Sequence, residues 1–210
     1  IGDAVTIFQS DYYLLGDNNK VSRLHLPEAF QMSTIHKGWV VGLLQADWKD
    51  SPQGSLVGFR ITDLDEPPGE ATTIFQPNQL QAVQSLLGLG VLKTGEALYF
   101  SILDDVVGQL VRASFNGEEW VTKNVALPGN GTTSVVAAAG STDTVIAKYE
   151  SFVQPPTLFA TEGGEKPQQV DQLQEKFDSS AYVTEQFFAT SKDGTRVPYF
   201  VVSPKTMKKD

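Results

Sequence analysis

The chain has 210 residues, 40% of them hydrophobic, and carries 25 acidic against 16 basic side chains for a net charge of −9. A chain this long can bury roughly 70% of the surface its unfolded form exposes, so one expects a globular core, while the acidic balance, with no basic cluster beyond Lys205, Lys208 and Lys209, argues against nucleic acid or anionic membrane as partners. The lack of cysteine removes disulfides, thiolate metal sites and cysteine nucleophiles, and no signal-peptide pattern or run of about 18 apolar residues is present, so the expectation is a soluble protein, cytoplasmic or periplasmic.

The chain starts at Ile1, directly in a β-rich run, and reads as a piece of something longer. Long helical periodicity is missing, and short β-branched or aromatic runs separated by Gly, Pro, Asn and Asp recur throughout. The expected fold class is all-β. Val5 to Phe8, Tyr12 to Leu15 and Val21 to Leu26 form an opening group. A group of four follows: Phe30 to Lys37, Trp39 to Trp48, Ser55 to Ile61 and Thr72 to Phe75. The next comprises Leu80 to Val91, Ala97 to Asp104, Gly108 to Phe115 and Glu119 to Leu127, and the last Thr133 to Ala139, Thr144 to Val153, Thr157 to Ala160 and Gln168 to Leu173.

Each group of four spans roughly 40 to 50 residues, the length of a four-stranded propeller blade. The expectation is a partial β-propeller of three antiparallel blades and a fraction, short of the four or more that close a ring. Inner blade strands crowd a central channel, so Val135 to Ala139, small and apolar, is expected buried there. Gln168 to Phe177 fits either a strand or a short helix.

Chemistry-bearing residues are few. Serine catalysis needs a nucleophile beside a base, usually on a Gly-x-Ser-x-Gly elbow, and no such elbow occurs. His25 alternates with leucines and should face solvent; it and His36 are assigned structural or surface roles. Asp104-Asp105 would point to opposite faces of a strand, which suits a strand end better than an acid/base pair, and Glu118-Glu119 after Asn116-Gly117 fits the same description. Gly88-Leu89-Gly90 lacks the helix and Lys-Ser/Thr of a phosphate cradle. Asn130-Gly131-Thr132 is formally a glycosylation acceptor but is accounted for as a turn between blades, and Trp39, Trp48 and Trp120 suit blade anchors better than a ligand platform. No catalytic, cofactor-binding or metal-ligating residue is assigned, and no cofactor is expected.

Near the C-terminus, Gln186 to Ser191 and Thr195 to Val202 flank Asp193-Gly194, whose conformational freedom suits a tight reversal. Phe187 and Ala189 share one face and Phe188 and Thr190 the other, while Val197, Tyr199 and Val201 alternate against Pro198, Phe200 and Val202. A hairpin apolar on both sides expects cover on both sides. If uncovered it should fray or self-associate, with Phe188 and Phe200 as the expected sticky pair.

These C-terminal letters carry a resemblance. Tyr182 to Lys205, with Glu185-Gln186, Ser191-Lys192-Asp193-Gly194-Thr195 and Val197-Pro198 in order, resembles the entrance to the peptidase domain of the prolyl oligopeptidase family. Tyr149 to Phe159 is similar to the Ser-Phe-x-x-Pro-x-x-Leu/Tyr signature closing that family's last propeller blade, and Phe177-Asp178-Ser179-Ser180 to the step before the hairpin. Trp48, with Gly54-Ser55-Leu56, is similar to a bacterial subgroup of the family.

The resemblance implies a seven-bladed propeller capping an α/β-hydrolase domain, which cleaves short peptides after proline with a Ser-Asp-His triad while the propeller restricts access. It also implies that residues 1–180 are the C-terminal blades, that 181–210 open a hydrolase domain, and that the triad lies beyond Asp210. The expected partners are then that hydrolase domain and, for the parent enzyme, short proline-containing peptides; open sheet edges would also favour self-association. The chain alone should be inactive. The rival reading is a self-standing propeller or sandwich that binds a partner at its rim loops.

Overall fold

The structure, a computed structural model, describes residues 2–6, 9–16, 19–84 and 90–207. Their regular elements are strands, apart from a 3-10 turn at Ile61–Asp63. β1 (Gly2–Thr6), β2 (Gln9–Leu15) and β3 (Val21–Leu24) form a three-stranded antiparallel sheet, the expected outer part of a blade. β4 (Phe30–His36), β5 (Trp39–Leu44), β6 (Leu56–Arg60) and β7 (Thr72–Phe75) form the first full blade.

The second blade differs from expectation at its inner edge. Leu80 to Val91, expected as one strand, is represented by two short strands, β8 (Gln81–Val83) and β9 (Val91–Lys93), which both pair with β10 (Leu98–Asp104). Residues 85–89 between them lie outside the described residues. β11 (Val107–Phe115) and β12 (Trp120–Val125) complete this blade.

β13 (Gly131–Ala138), β14 (Thr144–Ser151), β15 (Thr157–Glu162) and β16 (Gln168–Gln172) make the third, so the first five residues of the Gln-rich stretch are a strand and 173–177 are irregular. β17 (Tyr182–Thr190) and β18 (Arg196–Pro204) pair only with each other. The sheets are not closed into a ring.

Blades stack through both faces of their middle strands, which is why those strands are apolar without alternation. Val40 and Leu44 of β5 meet Leu24 and Phe30 on one side. Trp39, Val41 and Leu43 meet Leu98, Phe100 and Ile102 of the second blade on the other. The opposite face of that blade, with Tyr99, Leu110 and Val125, packs on Val145 and Ala147 of the third. Full burial of each such side chain contributes about 1.5–3 kcal/mol, so these seams hold the array together.

The expectation that Val135 to Ala139 is buried fails. Val136 is 52% exposed and Ala137 is exposed, while Val135 and Ala138 pack only partly against the seam. β13 is an edge strand of its sheet, and its packing beyond that sheet is against the second blade.

Candidate functional site

Strands of an antiparallel blade alternate in direction, so β10, β12 and β14 all end at the same rim. The β10–β11 turn, the β12–β13 connection and the loop after β14 therefore lie together, and the C-terminal hairpin sits across them. Asn130 Nδ2 donates to the Thr184 carbonyl at 3.0 Å, and Gln186 Nε2 donates to the Asp105 carbonyl at 2.7 Å. Arg196 Nη1 stands 3.5 Å from the Asp105 carboxylate. Phe200 meets Phe152 with ring centroids 5.5 Å apart, and Tyr182 meets Phe177 at 6.1 Å.

The hairpin register pairs Phe187 with Tyr199 and Phe188 with Pro198, which places residues on the faces expected from alternation. Its loop is not the two-residue Asp-Gly reversal. Gly194 alone of the pair takes a positive φ, +86°, while Ser191 and Thr195 are bonded across a longer loop and Asp193 caps Thr195 N–H through its carboxylate. These hydrogen bonds from Thr195 and Ser191 hold the Asp193 carboxyl below its usual range.

The two faces of the hairpin are covered unequally: on the Phe187/Tyr199 face Ser203 is buried near the base, and the face opens toward the turn. Gln186 and Phe200 belong to the seated side, with Thr184 buried there, whereas Phe187 and Tyr199 stack at 5.8 Å on the other side and remain 36% and 46% exposed. The more exposed aromatic pair is thus Phe187/Tyr199 rather than Phe188/Phe200. Beside the seat lies a cavity of about 350 Å³ lined by Phe152, Pro155, Pro156, Leu173 and Phe177, with Phe152 and Phe177 largely exposed.

A second feature runs along the axis, where the first strands of successive blades converge, β4 on β9 and β9 on β13. Between the inner strands of the second and third blades a groove of about 810 Å³ is lined by Gln84, Ser101, Thr133, Val135 and the Lys148–Glu150 pair, whose charged atoms are 3.1 Å apart. Its lining thus combines hydroxyls with one paired positive and negative charge.

The other residues weighed in the sequence are structural here. His25 is half-buried rather than solvent-facing, because its Nδ1 meets the Leu64 carbonyl at 3.1 Å. His36 is buried against Trp120 with Nε2 lacking a partner, and burial, reinforced by Lys37 and Lys93, pushes its pKa down although Glu96 pulls the other way. No described serine hydroxyl is hydrogen-bonded to either ring.

Asp104 ends β10 and accepts from Gln81 and Gln109, while Asp105 turns toward the hairpin; the two do not form a pair. Asn116 caps the amides of Glu118 and Glu119 in a turn. Trp39 and Trp120 pack at 6.0 Å across the first seam, and Trp48 packs on Phe59. Gly88, Leu89, Ile7, Phe8, Lys208 and Lys209 lie outside the described residues. Among the described residues no group of three His, Asp or Glu is placed to hold a metal, and no helix is long and apolar enough to cross a membrane.

Two sets of residues escaped sequence reasoning, the Asp105–Gln186–Arg196 seat and the Arg112–Asp143 pair that joins two blades. Gln186 and Arg196 fall within the C-terminal motif, but nothing local signals that both reach Asp105.

Blades of four antiparallel strands, stacked face to face around an axis, define a β-propeller array. The sequence profile described as "Prolyl oligopeptidase, N-terminal beta-propeller domain" matches residues 16–170, and the chain belongs to that family. It is 31% identical over 202 residues to an uncharacterized peptidase of Sinorhizobium fredii, covering 92% of this chain and 27% of the relative. Over 123 residues it is 29% identical to the prolyl endopeptidase of Elizabethkingia meningoseptica, covering 57% of this chain and 17% of that protein. Among solved structures, a post-proline cleaving enzyme from Rickettsia typhi superposes with a TM-score of 0.74 at 25% identity, over 96% of this chain and 30% of that one. The chain spans less than a third of the length of these relatives.

Proposed function

We propose that this chain is the propeller part of a serine peptidase that cleaves short peptides after proline, and that it screens access to a catalytic centre carried elsewhere on the same polypeptide. The match of the family's propeller profile to residues 16–170 carries this reading. The likeness to a post-proline cleaving enzyme supports it further.

In this reading residues 1–180 are blades, and residues 181–210 are the first hairpin of a hydrolase domain that covers the open Phe187/Tyr199 face. The blades do no bond chemistry. They wall a passage whose hydroxyls and Lys148–Glu150 pair solvate an extended peptide backbone, while folded proteins are too wide to enter.

The test is the cleavage of proline-containing peptides of graded length by the protein carrying this chain together with its hydrolase domain. The reading requires cleavage after proline that declines with substrate size; cleavage indifferent to proline, or as fast on a folded protein, refutes it.

A further inference from the structure

The β10–β11 turn is a reversal whose backbone its own sequence disfavours. Asp105 and Val106 both adopt left-handed conformations, φ +50° and +66°. A β-branched residue pays a steric cost there that glycine does not, because Cβ crowds the following carbonyl. Another two-residue reversal, between β4 and β5, takes the same left-handed geometry with Lys37 at +47° and Gly38 at +80°. The β4–β5 turn has glycine at the position where the β10–β11 turn has valine.

This strained turn is also the point that the hairpin grips hardest. Gln186 Nε2 donates to the Asp105 carbonyl at 2.7 Å, and Arg196 faces the Asp105 carboxylate at 3.5 Å. Arg196 is itself steadied by the Phe188 ring, whose centroid lies 3.3 Å from its guanidinium carbon. The Asp105 N–H meanwhile donates to the Leu80 carbonyl at 2.9 Å, tying the turn to the inner edge of the blade beside the axial groove. Both grips need the left-handed turn, since it aims carbonyl and carboxylate together at one face of the hairpin.

We propose that Asp105–Val106 is a strained latch. Seating of the hairpin holds the turn left-handed, release lets it relax, and the two states exchange as a unit, so that departure of the hairpin is felt at Leu80 on the channel edge. The coupling rests on contacts within this chain and stands whether or not the parent cleaves after proline.

The experiment is hydrogen–deuterium exchange of the 210-residue chain, followed in peptides spanning 78–84, 103–108 and 182–204. Gln186→Ala with Arg196→Ala should raise exchange severalfold in all three segments while leaving β5 and residues 98–102 of β10 protected. Val106→Gly, which removes the strain, should slow hairpin exchange about threefold to tenfold, and in that background the Gln186/Arg196 substitutions should no longer reach 103–108. Val106→Asn, which tolerates the left-handed region, should act in the same direction as Val106→Gly and guards against an effect peculiar to glycine. Faster hairpin exchange without any change in 103–108, or hairpin exchange unaltered by both Val106 variants, would overturn the latch.

Discussion

Arg112 of β11 and Asp143 of the β13–β14 turn are joined by two hydrogen bonds to one carboxylate oxygen, from Nη2 at 2.6 Å and Nε at 2.9 Å, with 18% and 11% of the side chains exposed. The other carboxylate oxygen accepts from Thr94 Oγ1 at 2.7 Å, so one acidic residue of the third blade holds two elements of the second. Burial alone would lower the Arg112 pKa, and the Asp143 contact more than offsets it. Beside them the Tyr99 hydroxyl is pushed up to about 12 by burial and by Asp143.

Asp143→Ala should therefore leave a largely buried guanidinium without its partner. We expect a loss of about 2–4 kcal/mol, measured by urea denaturation, given that charge-assisted bonds contribute ~1.5–3 kcal/mol and breaking a buried pair costs more. Replacing both partners, Arg112→Met with Asp143→Leu, should cost less than Asp143→Ala alone, because no charge is stranded.

Acid should loosen the first seam through His36. Its folded pKa lies below the ordinary value of about 6.5, so the unfolded chain binds more protons across that window. Stability should thus be flat above pH ~6.5 and fall as pH drops below it. His36→Gln should flatten that part of the profile in thermal melts at pH 5 to 7.5; an unchanged slope would place the titration elsewhere.

The strand groups were legible because blades buried on both faces demand uninterrupted apolar runs, and those runs stand out from the polar turns. The C-terminal register was legible for a related reason, since alternation fixes which of Phe187 and Phe188 shares a face with Tyr199. Which face is seated was not legible, because it depends on Phe152 and Asp105, 48 and 91 residues before Phe200 and Arg196 in sequence. Nor was the exposure of Val136, since apolar composition says what could be buried and not whether a neighbour lies across it.

Gly108 should resist substitution. A Cβ there would lie 2.4 Å from the Thr133 backbone nitrogen, an approach that only the absence of a side chain permits. Gly108→Ala should part the inner edge of the third blade from the second and cost about 1–3 kcal/mol or more by chemical denaturation; a neutral result would mean that the blades can slide apart freely.

The open hairpin face should drive association of the chain with itself when nothing else covers it. Phe187→Ser with Tyr199→Ser should weaken self-association in analytical ultracentrifugation and leave the thermal transition of the blades nearly unmoved. Phe200→Ser, by contrast, removes a seated contact with Phe152 and should speed amide exchange in the hairpin.

Under the proposed function these blades screen, and do not perform, cleavage after proline. The most direct measurement is release of chromophore from a Gly-Pro p-nitroanilide by the 210-residue chain and by the longer protein that carries it with a hydrolase domain. The account predicts no release above background from the chain alone and release from the longer protein that a serine-directed phosphonylating reagent abolishes. Reagent-sensitive release by the isolated chain, or none from the longer protein, would contradict it.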